Sequence, residues 1–367
     1  MDITTVGIVG AGTMGAGIAT CLATHGLEVR LYDTQVAAVA RAIDAIAGFC
    51  ARAVEKGRLA QAEANAAVGR ARGVGELAAL ADVGLVIEAV FEDAAIKGAV
   101  LRELSSLLAP TALVATNTSC LRVTDLARHV VHPERFLGLH YFSPAAINPI
   151  VEVVRGERTG AATLELATAF CRATGKRPLL CRDSYGFAIN RFFCPYSNEA
   201  VRLLDEGLGD PASIDAAARI AVGAAAGPFA VMNIIKPRIN LDAVRNLAPL
   251  GPFYAPAASL ITLGEAGGTW DIGAAPAPET ALTPIVDRLR AAVFLPVLEE
   301  LDDAVATPED IDMGAREALR FAEPPCALMD RLGRDEVARL VAPLAARYGH
   351  ALPRALERVG SLTAGTR

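Results

Sequence analysis

The sequence predicts an α/β domain built on a doubly wound parallel sheet, followed by an all-α domain made of two tandem copies of a helical module. Three observations carry that prediction. Short apolar β-rich runs alternate with helical stretches up to about Asp183, strand signals then give way to long Ala/Leu/Arg/Glu segments, and a pattern in the second half recurs at constant spacing. The strand candidates are residues 6–9, 28–32, 83–87, 112–115, 136–140 and 150–154. Several are continuously apolar, as strands covered on both faces are. Residues 13–24, 36–54 and 94–108 read as helices between them, the alternation of a parallel sheet with crossover helices.

Beyond Asp183 the long segments 191–206 and 284–303 dominate, and Pro284 suits the first turn of a helix. Ile214-Asp215, followed by Pro228, Ala230, Val231, Met232 and Asn233, recurs as Ile311-Asp312, followed by Pro325, Ala327, Leu328, Met329 and Asp330, always at an offset of 97. Chance similarity of Ala-rich helices is the alternative, but constant spacing over some 20 positions favours a duplicated module. The Gly-, Pro- and Ala-rich stretch 251–279, which holds Trp270, reads as a long loop or linker with one helical turn. The expected boundaries are an α/β domain over 1–183, a first helical module over 184–250, a linker over 251–283 and a second module over 284–367.

Composition narrows the class. The chain has 367 residues, 53% of them hydrophobic, 21% charged and 5% aromatic, enough for two or three domains at roughly 150 residues each. A net charge of −6 argues against a dedicated nucleic-acid binder. The seven cysteines are odd in number and show no C-x-x-C spacing, so neither a disulfide framework nor a metal site is expected. No signal-like segment opens the sequence, and apolar stretches end well before the roughly 20 residues that span a bilayer. The expectation is a soluble cytoplasmic protein with no membrane partner.

Gly10-Ala11-Gly12-Thr13-Met14-Gly15 follows the first strand and opens a helix. This G-x-G-x-x-G is weak alone, but here it has the strand, helix and second-strand context of a Rossmann-type dinucleotide site. Gly10 permits the tight turn, Gly12 lets backbone approach a pyrophosphate, and Gly15 allows close helix–strand packing. The helix start, with Thr13 and Met14, supplies free N–H groups for phosphates. Asp33, 18 residues after Gly15, is placed to accept ribose hydroxyls and would repel a 2′-phosphate. Thr34 and Gln35 offer no cation, so the expected cofactor is NAD and not NADP.

His140 ends one strand candidate, and Glu152 lies inside the next apolar run, where a carboxylate is costly to bury without a partner. A short turn between the strands would bring the two together, and the carboxylate would fix the imidazole tautomer and raise its basicity. Alone, His140 would read as a structural histidine.

These stretches together resemble the L-3-hydroxyacyl-CoA dehydrogenase family. The likeness runs through the Gly loop, Val86-Ile87-Glu88-Ala89-Val90-Phe91-Glu92-Asp93 with Lys97, Asn117-Thr118-Ser119, and Gly138-Leu139-His140-Tyr141-Phe142 to Glu152. It continues with Asp183, Gly186-Phe187-Ala188-Ile189-Asn190-Arg191 and Pro195-Tyr196. The resemblance implies reversible NAD-dependent oxidation of a 3-hydroxyacyl thioester to the 3-ketoacyl thioester. His140 would be the base, Glu152 its orienting acid, and Ser119 and Asn190 would hydrogen-bond the substrate. It also implies that Glu88, Ala89, Val90, Glu92, Lys97 and Asn117 line the NAD site. On the residues alone, Ser119 and Asn190 could each cap a helix, and the charged residues could be surface groups.

Four positions depart from the family pattern: Cys120, Ser143-Pro144, Asn148-Pro149 and Tyr185. They surround the expected acyl end, where Ser143 and Asn148 are candidate substrate contacts, and point to a small or polar acyl group on CoA or an acyl carrier protein, as in fatty acid or polyketide extender-unit metabolism. The second module carries Asp287-Arg288 where the first has Asn190-Arg191, so it is expected to be structural. The resemblance implies either a monomer with an internal pseudo-dimer of modules or a homodimer. The competing readings are a dehydrogenase of a free hydroxy acid, as in the family's gulonate-oxidising branch, and a non-catalytic NAD-binding protein.

Overall fold

The computed structural model describes residues 3–273 and 276–364. The chain forms two compact units, meeting in sequence between Asp183 and Ser184. In the first, eight strands make one sheet: β1 Thr5–Val9, β2 Glu28–Tyr32, β3 Ala71–Gly73, β4 Leu85–Glu88, β5 Leu113–Thr116, β6 Phe136–Tyr141, β7 Ile150–Arg155 and β8 Arg177–Arg182. Their order is β3-β2-β1-β4-β5-β6-β7-β8. Helices α1 Thr13–Thr24, α2 Val36–Glu55, α3 Gln61–Arg70, α4 Ala94–Leu107, α5 Val123–Leu126 and α6 Ala161–Ala173 connect them. Ile8, Leu31, Ile87, Leu113, Leu137, Leu139, Val151 and Val153 centre the core. The strand order reverses between β1 and β4, the switch point where such sheets open a ligand crevice at the carboxyl ends of their strands.

The sheet departs from a purely parallel one at its far edge. β7 runs antiparallel to β6, and β8 runs parallel to β7. Only residues 142–149 join β6 to β7, too few for a parallel crossover, which needs a dozen or more. Strands β3 and β8, absent from the sequence reading, are the two edges: one has three residues and the other alternates exposed and buried positions.

The second unit is helical, with α7 Ile189–Asp205, α8 Pro211–Val222, α9 Pro228–Ile235, α10 Pro237–Leu247 and α11 Ala258–Ala266, then α12 Thr283–Asp302, α13 Pro308–Ala318, α14 Pro325–Leu332 and α15 Arg334–Tyr348. The repeat is physical. Helices α13, α14 and α15 start 97 residues after α8, α9 and α10. The Asp215 carboxylate accepts the backbone N–H groups of Phe229 and Ala230 at 2.8 and 3.0 Å, and Asp312 accepts those of Cys326 and Ala327 at 2.7 and 2.9 Å. Each acid thus caps the start of its module's third helix. The bridge between Ala224 and Phe321 joins the repeats at equivalent positions, since these residues are also 97 apart.

The expected linker over 251–283 needs correction. It contains α11 and a 3-10 turn, Pro252–Tyr254, and buries Phe253, Tyr254 and Leu260. The Asn198 side chain holds it, donating to the Ala255 carbonyl at 2.8 Å and accepting from the Ala257 N–H at 2.8 Å. Composition concealed these elements because Gly, Pro and Ala flank them and their helix is short. Residues 274–275 of this stretch lie outside the described residues.

Candidate active site

The loop after β1 has the geometry its glycines require. Gly10 has φ +100°, and a Cβ there would sit 2.5 Å from the Ala89 carbonyl oxygen. A Cβ on Gly15 would lie 1.8 Å from the Gly10 oxygen. Gly12 differs: nothing lies within 4 Å of the point its Cβ would occupy, and α1 begins after it without a side-chain cap. Gly12 and Thr13 are exposed, and Met14 is half-buried. This is an open anion cradle at a helix N-terminus. The Asp33 carboxylate accepts the Ala11 N–H at 2.8 Å and the Gln35 N–H at 2.9 Å, which fixes it beside the cradle. Each carboxylate oxygen has a second lone pair for a ribose hydroxyl. The residues present fit a dinucleotide.

Across the crevice, the end of β4 carries a buried charge network. Lys97 and Glu88 are 1% and 0% exposed and pair at 2.7 Å. Glu88 also accepts the Thr116 hydroxyl at 2.6 Å and the Val90 N–H at 2.8 Å. Glu88 therefore spends its carboxylate beneath the Ala89-Val90 loop, holding that backbone in place. Lys97 reaches Glu92 at 3.3 Å. The second glutamate collects the Thr118 hydroxyl at 2.5 Å and the N–H groups of Ser119 and Cys120 at 2.8 and 3.1 Å. Burial works against the Glu92 charge, but Lys97 and these donors outweigh it and keep its carboxyl below the ordinary range.

Ser119 thus sits on a turn wrapped around a carboxylate and caps no helix; α5, the next one, has Arg122 at its N-cap. Asn117 stitches this turn to the neighbouring strand: its side-chain oxygen accepts the Tyr141 N–H at 2.9 Å, immediately after His140. Asp183 holds the start of α5 by accepting the Val123 and Thr124 N–H groups at 3.0 and 2.8 Å.

His140 and Glu152 are direct cross-strand partners in the antiparallel pairing of β6 with β7. Their side chains meet, with Nδ1 of His140 and an Oε of Glu152 at 2.6 Å, and are 8% and 0% exposed. Phe142 packs on the imidazole at a ring separation of 4.5 Å. The loop that follows has a cis Ser143–Pro144 bond and is pinned by Lys176, whose buried ammonium donates to the Ala145 and Asn148 carbonyls at 2.8 and 2.6 Å. Ser143 is exposed. Asn148 is buried, and its side-chain oxygen accepts the Ile150 N–H at 3.1 Å, so it shapes the loop. Lys176 escaped the sequence reading because a lone lysine before an edge strand looks like any surface lysine. Asn190 lies in the first turn of α7 in the second unit; the N-cap is Ala188, so Asn190 does not cap the helix.

A nucleotide cradle at the switch point of the sheet, with an acid-supported histidine two strands beyond β4, defines an NAD-dependent oxidoreductase. The family model for the 3-hydroxyacyl-CoA dehydrogenase NAD binding domain matches residues 5–184, and that for the C-terminal domain matches 186–267. The chain belongs to the 3-hydroxyacyl-CoA dehydrogenase family. It is 38% identical over 240 residues to the 3-hydroxyadipyl-CoA dehydrogenase of Escherichia coli K12, a match covering 65% of this chain and half of that protein's length. To the 3-hydroxybutyryl-CoA dehydrogenase of Bradyrhizobium diazoefficiens it is 36% identical, over 63% of this chain and 78% of the relative. The crystal structure of 3-hydroxybutyryl-CoA dehydrogenase from Escherichia coli K12 superimposes with a TM-score of 0.89 at 26% identity, covering 100% of both chains. Among the described residues, no helix is long and apolar enough to cross a membrane, no group of side chains is arranged to hold a metal, and all seven cysteines are free and buried.

Proposed function

We propose that the protein oxidises a short or polar 3-hydroxyacyl thioester of CoA to the 3-ketoacyl thioester, with His140 as the base. The observation that carries this reading is the buried contact between His140 and Glu152 at 2.6 Å. NAD, when bound, accepts the hydride from C3. The carboxylate of Glu152 takes the N–H of Nδ1, which leaves Nε2 as the ring atom that receives the hydroxyl proton. The imidazolium so formed is balanced by Glu152 inside a site from which water is largely excluded.

Ser119, on its Glu92-held turn, and Asn190, on α7, hydrogen-bond the substrate oxygen or its neighbours and fix the reactive orientation. Gly10, Gly12, Thr13, Met14 and Gly15 hold the pyrophosphate, Asp33 the adenosine ribose, and Ala89, Val90, Glu92, Lys97 and Asn117 frame the nicotinamide end. Ser143 faces the acyl group. The second module takes the place of a partner subunit's module, giving either a monomer with an internal pseudo-dimer of modules or a homodimer.

His140→Ala is expected to abolish NADH formation while NADH affinity is retained; unchanged turnover would overturn the assignment. Comparing 3-hydroxyacyl-CoA, the same acyl group on a carrier protein, and the free hydroxy acid tests the thioester and its carrier. Preference for the free acid would favour the gulonate-type reading.

A further inference from the structure

The second helical module has lost the asparagine of the first, yet it keeps one particular set of charges. Arg191 follows Asn190 in the first turn of α7 and is 4% exposed. Its guanidinium donates to the Ser184 hydroxyl at 2.7 Å and to the Asp303 carboxylate. Ser184 begins the segment that leads into α7. That segment is folded tightly onto the helix start: the Arg191 N–H reaches the Gly186 carbonyl at 3.1 Å, and a Cβ on Gly186 would approach the Arg191 nitrogen to 2.8 Å. Asp303 comes from the far end of α12, in the second module. Burial of the guanidinium works against its charge, but Glu300 of the same helix, with Tyr254 and Asp303, more than offsets this.

The internal symmetry supplies a built-in comparison. Moving 97 residues along the chain turns Arg191 into Arg288 and Glu206 into Asp303. The mirrored contact is present, with Arg288 gripping Glu206 at 2.5 and 2.8 Å. At the position equivalent to Asn190 the second module has Asp287, which is paired with Arg339 at 2.9 Å. The duplicated copy has therefore exchanged the polar amide for a neutralised acid while retaining an acid that reaches back to Arg191.

We propose that Asp303 of the degenerate module is a positioning residue for the reaction, holding the first turn of α7 and hence Asn190 through Arg191. The inference rests on the reading that Asn190 holds the substrate. It gives the second module a role in turnover as well as in stability: the module supplies in one chain a grip that acts on the other module's functional turn.

The test is a comparison of Asp303→Asn, Asp303→Glu and Glu206→Gln in the full-length enzyme, with Asn190→Ala as reference. Glu206 bonds both Arg288 and Arg347, so a purely structural role for these pairs makes Glu206→Gln the more damaging change. The expected result is a fall in kcat on the order of tenfold or more for Asp303→Asn, with the Kd for NADH and the thermal midpoint unchanged. Asp303→Glu should recover most of the rate, and Glu206→Gln should keep it. A wild-type kcat for Asp303→Asn, or an equal loss of kcat in Glu206→Gln, overturns the inference. If Asn190→Ala is impaired while Asp303→Asn is not, the inference alone fails. If Asn190→Ala itself turns over normally, the reading of Asn190 fails and the inference with it.

Discussion

Replacing Glu152 by Gln tests the chemistry most directly, because it preserves shape and removes one charge. The carboxylate is fully buried, and the imidazole beside it is 8% exposed, so solvent screens the pair little. With charge centres about 4 Å apart and an effective dielectric near 20, the attraction between carboxylate and imidazolium is about 4 kcal/mol. That attraction exists only once the proton has reached His140, so its loss falls on the transition state and not on the bound alcohol. At roughly 1.4 kcal/mol per factor of ten, kcat should fall on the order of a thousandfold. Substrate KM should change little, and so should the Kd for NADH, since Glu152 lies on β7, away from the Gly loop. The assay is steady-state NADH formation from 3-hydroxybutyryl-CoA, with NADH binding followed by fluorescence. A Glu152→Gln enzyme within about threefold of wild-type kcat would refute the reasoning, because a buried carboxylate at hydrogen-bond distance would then have no part in charge development.

Other expectations follow from the same geometry. Gly15→Ala places a methyl 1.8 Å from a carbonyl oxygen and should disrupt the fold of the loop, seen as a lowered thermal midpoint without ligand; Gly12→Ala meets nothing within 4 Å and should leave that midpoint alone while weakening NADH binding. Asp215→Ala and Asp312→Ala should each cost about 2–3 kcal/mol in denaturant unfolding, since each removes two charged hydrogen bonds to helix-start amides; a large inequality would argue against equivalent roles. Glu206 is held at about 2 by hydrogen bonds from Arg288 and Arg347, against an ordinary 4.5. A depressed carboxylate adds stability above its unfolded value and loses it as pH falls through the folded one. The wild type should thus lose a Glu206-dependent share of stability between about 4.5 and 2, a slope that acid titration of Glu206→Gln should show reduced.

Much of the site was legible because its signals are local. A glycine at positive φ, a strand that is apolar throughout, and an acid at the end of β2 are dictated by near neighbours in the chain, so the nucleotide loop and Asp33 could be read directly. The pairing of His140 with Glu152 was within reach for the same reason, since a short connection between two strands leaves few registers. The duplication was visible as spacing, and the capping acids Asp215 and Asp312 sit within it. The edge strands were not visible, and α11 was legible only as a single helical turn, because brief elements carry weak periodicity and owe their form to what they pack against.

The amino-acid order by itself thus determined the class of fold, the glycine loop after β1, the acid that follows β2, and the pairing of a histidine with its carboxylate. Tertiary structure alone decided where the buried charges are spent: Lys97 on Glu88 and Glu92, Glu92 on the turn bearing Ser119, Lys176 on the loop after His140, and Arg191 on Asp303. The physical reason is range. Backbone conformation and hydrophobic period are set by interactions among residues a few positions apart, whereas a buried charge acquires its meaning only from the partner that chain crossings bring beside it, here as far as 112 residues away.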